Sequence, residues 1–244
     1  MLANLQSLHR HEEEIRDKSI AAIAASVALG HHLQAVHDAL DHLVALQQAD
    51  SAPGDDTHTA QLFAIRLFNI GASANKLGMS GYYQQAFQLL RDSLELVNLL
   101  DLFSANRSKI AEWRLADNKT LKKLFGPAAV RAALDTFPKY KDQKAGRDRL
   151  YATFSEHAAH ATYRGFRLVA PGNSPRLGPF FDTKLLRALL EDLGRHLAHA
   201  TLAVSTLVDN DVSSKVLLSK AEYLDRLRLY HDKYVKPSPS PNDA

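Results

Sequence analysis

The sequence predicts an all-α fold, a multi-helix bundle of about seven helices headed by a long N-terminal helix or helix pair. Three observations carry this expectation. Apolar residues recur at helical spacing almost throughout, no stretch of strict alternation is long enough for a strand, and Pro and Gly fall between the periodic segments. No repeat of fixed period is present, so a solenoid is not indicated.

The elements follow in order. The first runs from about Leu2 to Gln48 as one helix or two in line, with Gly30 the expected break. ADSAPGDDTH stops it, and Asp55, Asp56 or Thr57 caps a second helix ending near Gly78. Ser80 is expected to cap the next, Gly81 to Phe103. Asp117, Asn118 or Thr120 starts a short basic helix that ends at Gly126, and Pro127 opens its successor in the first turn, where a missing N–H costs nothing. Pro138 closes that helix. Helix resumes near Arg147 and runs to about Arg167, where APGNSPRLGPF reads as a lid or mobile connection. Asp182 caps a helix to Val208, Ser213 or Ser214 caps the last, to Val235, and KPSPSPNDA reads as a disordered tail. The expected organisation is an N-terminal helix or helix pair over 1–50, a bundle over 55–235 and a tail over 236–244.

Composition excludes several classes. The 45% apolar and 23% charged residues suit a globular chain, and no apolar run approaches the length that crosses a bilayer. The first residues show no signal-peptide pattern, so a cytoplasmic protein without a membrane partner is expected. With no cysteine, any metal would have to use His and carboxylate. A net charge of +3 does not by itself imply nucleic acid.

The strongest lead is GYYQQAFQLLRDSLELVNLLDLF, apolar on nearly every side. A helix of that kind is normally buried, yet Arg91, Glu95 and Asn98 share one stripe. The preceding helix carries Arg66, Asn69 and Ser73 at i, i+3, i+7. If the turn from Gly78 to Gly81 makes these helices antiparallel, the stripes face each other, and two arginines need two anions. Glu95 is one; Asp92, Glu156 or a ligand supplies the other.

Histidines add to this. In DRLYATFSEHAAHATYRGF, Leu150, Phe154, His157 and Ala161 form a stripe that puts His157 at a core position, and His160 follows at i+3. His196 and His199 repeat the spacing, against about 0.6 such pairs expected by chance. Four imidazoles on neighbouring helices would suit zinc, with Asp192 or Glu156 as alternative ligands, although no HExxH or repeated ExxH is present. His31, His32, His37 and His42 are spread around their helix and are expected to face solvent.

Lys139, Lys141, Lys144, Arg147 and Arg149 cluster just before the His157 helix, either as a solvated loop or as a phosphate-contacting patch. Trp113 reads as a packing anchor, and Tyr82 and Tyr83 place their hydroxyls at one end of the bundle. No phosphate-loop, dinucleotide or hydrolase-elbow motif occurs.

GYYQQAFQLLRDSLELVNLL, KIAEWRLAD and RLYATFSEHAAHAT, within residues 60–165, resemble the blocks of a group of uncharacterised bacterial all-helical proteins with a HEPN-like look. The resemblance implies a helical bundle and, in HEPN domains, a metal-independent ribonuclease using an Arg and a His four to six residues apart. Arg226 to His231 in DRLRLYH is the literal fit, but Leu227 replaces the usual polar residue, and the resemblance transfers no catalytic site. The expected function is an RNA- or nucleotide-binding bundle without cofactor. Its catalytic candidates are His157 as general acid or base, Arg91 and Glu95; its ligand-binding candidates are Arg66, Asn69, Asn98, Lys139, Lys141 and Lys144. One alternative is a non-catalytic interaction module, dimeric; another is a metal bundle held by His157, His160, His196 and His199.

Overall fold

The computed structural model describes residues 2–50, 55–159, 161–208 and 213–235. Among them are eleven α-helices and no strand: α1 (Leu2–Ala24), α2 (Val27–Gln47), α3 (Asp56–Met79), α4 (Tyr83–Ala105), α5 (Ser108–Leu115), α6 (Asn118–Leu124), α7 (Pro127–Leu134), α8 (Pro138–Lys141), α9 (Lys144–Phe154), α10 (Thr183–Leu207) and α11 (Ser214–Tyr234). All-α architecture stands, and the expected count of about seven is corrected. The difference lies in short helices between 108 and 141 and in the N-terminal break. Helices of seven or eight residues are too short to be stable alone, so packing rather than periodicity creates them.

That break falls at Ala25 and Ser26, not at Gly30. Ser26 caps α2 by accepting from the Leu29 N–H at 3.4 Å, and the axis bends by 111°. No single helix among the described residues is long and apolar enough to cross a membrane.

The centre is α10, which packs against α2, α3 and α4, with α3 also against α4 and α2. α4 is enclosed because α7, α9 and a π turn (Ser155–Ala159) cover its other side. That enclosure is why its apolar residues run around the whole wheel. Leu90, Leu100 and Phe103 are fully buried, each contributing roughly 1.5–3 kcal/mol on transfer from water. Two core clusters share Leu40 and Leu89 at their edges and so form one interior. Trp113 is an anchor as expected, its ring against Phe63 and Phe103 at 5.5 and 5.8 Å.

Capping is as read at Asp55, Asp117 and Asp182, whose carboxylates accept first-turn N–H bonds. Ser80 is a correction: it ends α3, and Tyr82 precedes α4 at the N-cap position without a side-chain cap bond. Gly81 makes the turn between them, with φ +86 and a hypothetical Cβ only 2.4 Å from the Phe180 carbonyl oxygen, so no other residue fits there unstrained. Tyr82 and Tyr83 diverge: the Tyr82 hydroxyl donates to Glu12 at 2.6 Å, and the Tyr83 hydroxyl donates to the Asp182 carbonyl at 3.2 Å.

The helix expected to continue to Arg167 changes form. After α9 it widens into the π turn, then breaks into 3-10 turns at Gly165–Val169 and Pro171–Asn173. The tail over 236–244 lies outside the described residues.

Candidate functional site

The arginine seam is largely self-paired. Arg91 donates from Nη1 to Glu95 Oε1 at 2.7 Å and from Nε to Ser155 Oγ at 3.0 Å, and its guanidinium lies 4.1 Å from the Tyr151 ring centroid. Arg131 stacks on the same ring at 3.8 Å. These contacts tie α4 to α7 and to the end of α9. Arg66 meets Asp92 at 3.2 Å, so Asp92 supplies the second anion.

The two stripes nevertheless differ. Arg66, Asn69 and Ser73 are all exposed, which corrects the expected inward stripe on α3. The reason is geometric: α3 already buries Ala60, Ala64, Leu67, Gly71 and Ala74 against its neighbours, and the polar stripe sits on the opposite side. Asn98 is buried, at 7% exposure. Arg66, Asp92, Glu95 and Asn98 line one cleft of about 320 Å³, walled by Trp113 and Phe125. Asn69 does not line it, and neither does His157.

His157 belongs to a second cavity, of about 570 Å³, between α4, α9 and α10. The stripe that placed it in the core assumed an unbroken α-helix. A π turn holds an extra residue, and the wider turn brings a half-buried His157 to the cavity wall while Phe154 and Ala158 stay buried. Thr162 secures the turn by donating to the Glu156 carbonyl at 2.6 Å. Arg149 and Asp192 face the same space, with Phe87, Phe154 and Leu185 among its apolar walls.

Burial pushes the Asp192 carboxyl up to about 6, with Arg195 opposing and Glu191 reinforcing the rise. One turn on, burial drives His196 down to about 4, although its Nδ1 is 2.7 Å from the Asp192 carbonyl oxygen. With Nδ1–H donating there, Nε2 is an acceptor, and it is buried without a hydrogen-bond partner. His199 turns away to Asp101, at 3.1 Å, and the bond to that carboxylate raises its pKa. His160 lies outside the described residues. Among the described residues no group of three His, Asp or Glu side chains is placed to hold one metal ion.

The basic cluster lies on α8 and α9 rather than on a loop, and it is partly neutralised from within. Lys144 pairs with Asp135 at 3.2 Å and with Asp148, and Arg147 pairs with Asp135. Lys139 lies 5.0 Å from the Tyr140 ring centroid, and Lys141 is exposed. Arg226 pairs with Asp38 at 2.9 Å and faces a groove between α2 and α11, whereas His231 stands next to Asp232 and does not line it.

The solvent-facing expectation for the α2 histidines holds for His31 and His37 only. His32 is 2% exposed and meets the Tyr230 hydroxyl at 2.9 Å. His42 is 1% exposed, stacked on Tyr223 and bonded to Ser205 and Ser219, and burial lowers its pKa to about 4. α11 covers them, which a wheel of α2 alone does not reveal.

Sequence reasoning therefore grouped residues that the fold divides, and it missed the company Asp192 keeps. The available signal was an acid one helical turn before His196 on a strongly amphipathic helix. Compared with protein-family models, curated proteins and solved structures, the chain has no match.

Proposed function

We propose that the chain binds a nucleotide-like anionic ligand, or the end of an RNA strand, in the cavity between α9 and α10, with His157 and Asp192 as its proton-exchanging pair. The observation that carries this reading is Asp192, a carboxyl raised to about 6 in an apolar wall, facing the same cavity as His157 and Arg149. Titratable groups with displaced pKa values in a concave apolar site are what acid–base chemistry and ligand recognition use. Arg149 meets phosphate, Phe87 and Phe154 accept a base or ring, and the imidazole of His157 moves a proton. Metal-independent RNA cleavage is the reaction this set would serve. The HEPN-like resemblance accords with the all-α bundle and contributes nothing to the choice of residues. We place the protein in the cytoplasm on the same reading.

Calorimetric titration with AMP and with a short oligoribonucleotide tests it. Binding is expected, weakened at least tenfold by Arg149→Ala and salt-dependent; His157→Ala is expected to spare binding and abolish any cleavage. Equal affinity in wild type and Arg149→Ala, or no binding of either probe, sinks the proposal.

A second reading, a non-catalytic and dimeric interaction module, is favoured by one observation: each seam arginine has its own carboxylate, Glu95 for Arg91 and Asp92 for Arg66. A dimer in sedimentation equilibrium, with no nucleotide binding, supports that reading over the first.

A further inference from the structure

We infer that the groove between α2 and α11 is a separate ligand site, built for a small aromatic anion. It encloses about 600 Å³ and shares no lining residue with the α9–α10 cavity. Its floor is aromatic, from Tyr223, Tyr230 and Tyr234, and its charged lining groups are unequal: Arg226 and Lys233 against one carboxylate, Asp38.

That carboxylate is already used. Asp38 is buried and accepts from Gln34 Nε2 at 2.9 Å and from Arg226 Nη1 at 2.9 Å. Together with Glu222, 3.4 Å from Arg226 Nη2, it orients the guanidinium at the groove wall. Lys233 has no carboxylate within ion-pair distance among the described residues. Its Nζ rests 3.2 Å from His31 Nδ1, a nitrogen that also meets the Tyr234 hydroxyl at 2.6 Å. An anion reaching Lys233 supplies the negative partner that this end of the groove lacks.

The two cations lie seven residues apart on α11, so they share a face roughly 10 Å apart along the axis. Tyr230 sits between them, its hydroxyl held by buried His32, with its ring 5.3 Å from that of Tyr234. The rings are thus fixed before a ligand arrives, which lowers the entropy cost of stacking on them. A flat ring bearing phosphate, carboxylate or sulfonate satisfies both halves of the groove: the ring against the tyrosines and Leu227, the anion at Lys233 or Arg226.

The walls come from α2 and α11, with Ala198 of α10 at the base, and α2 is the principal support of α11. A bound ligand therefore joins them, and it should slow amide exchange along α11.

Phenyl phosphate and naphthalene-2-sulfonate, followed by amide chemical shifts and hydrogen exchange on the whole chain, test the site. Expected are shifts confined to α2, α11 and the Ala198 turn of α10, slower exchange in α11, and binding at least tenfold weaker for inorganic phosphate. Lys233→Gln, at an exposed position, should weaken binding at least fivefold, Lys233→Arg should retain it, and Arg149→Ala in the other cavity should leave it unchanged. Leu229→Glu, at a position 73% exposed, should repel the probe. Unchanged affinity in Lys233→Gln, equal binding of uncharged naphthalene, or shifts confined to the α9–α10 cavity would overturn the inference. None of these outcomes depends on whether AMP or RNA binds beside His157.

Discussion

The seam on α4 and the cavity beside α10 both place charge inside a helical bundle, and they handle it in opposite ways. At the seam every cation has a partner: Arg91 has Glu95, Ser155 and the Tyr151 ring, and Arg66 has Asp92. At the cavity wall Asp192, and one turn behind it the buried His196, are held in apolar surroundings, and the cost appears as displaced pKa values of about 6 and about 4. A matched charge fixes geometry, whereas an unmatched one stays ready to change its protonation when a ligand arrives. Protonation is therefore free to change at the cavity wall and not at the seam, although the seam is the more conspicuous feature in the sequence.

Acid should separate the regions most. His42 and His196, depressed to about 4 from 6.5, are taken up neutral by the fold, so the unfolded chain binds more protons between those values and stability falls as pH drops through the window. Each shift corresponds to about 3 kcal/mol at about 1.4 kcal/mol per unit. Asp192, raised to about 6 from 3.8, works the other way, since acid relieves its buried charge. The two histidines outweigh it, and urea unfolding should show a net loss of about 3–4 kcal/mol between pH 7 and pH 4 from these groups. In His196→Leu a large part of that loss should vanish. An unchanged acid loss in this variant would mean that His196 is not held neutral.

Breaking the seam comes next. Arg91→Ala removes an ion pair, a hydrogen bond to Ser155 and a cation–π contact, at a cost of about 2–3 kcal/mol. Glu95 is 38% exposed and can rehydrate, which keeps the cost below that of a fully buried pair. Arg91→Met with Glu95→Leu should cost less than Arg91→Ala alone, and a double mutant that costs as much as the sum of both singles would show that the two side chains are not coupled.

The cavity counterpart has the opposite sign. Asp192→Asn should stabilise by about 2–3 kcal/mol at pH 7, where the native state carries a penalised carboxylate, and the gain should fade as pH drops through 6 and vanish below 3.8, where the unfolded carboxyl is protonated as well. A destabilised variant at pH 7 would place the carboxylate in a charge-stabilising environment and end the contrast. Arg66→Ala is the smallest change, less than about 1 kcal/mol, because Arg66 and Asp92 are 59% and 44% exposed and solvent screens the pair.

Residues whose role depends on their own helix were legible in the chain. Glu95 follows Arg91 by one turn, and local spacing alone pairs them; Asp55, Asp117 and Asp182 cap helices through bonds to residues two or three positions on. The burial of α4 was legible too, since a helix apolar all round has no side to offer water.

What only the tertiary structure decided are the relations between helices. Arg66, Asn69 and Ser73 share a face, but which face meets α4 and α10 depends on the whole of α3, and its small and leucine positions won. His32 and His42 are buried because α11 lies over them, some 180 residues away in sequence. The π turn at Ser155–Ala159 moved His157 off its α-helical stripe, and its place facing Arg149 and Asp192 follows from α9 packing near α10. Hydrophobic periodicity specifies how much of each helix is hidden; which helix hides it is set by packing among nonlocal side chains, and that packing decides which polar groups share a cavity.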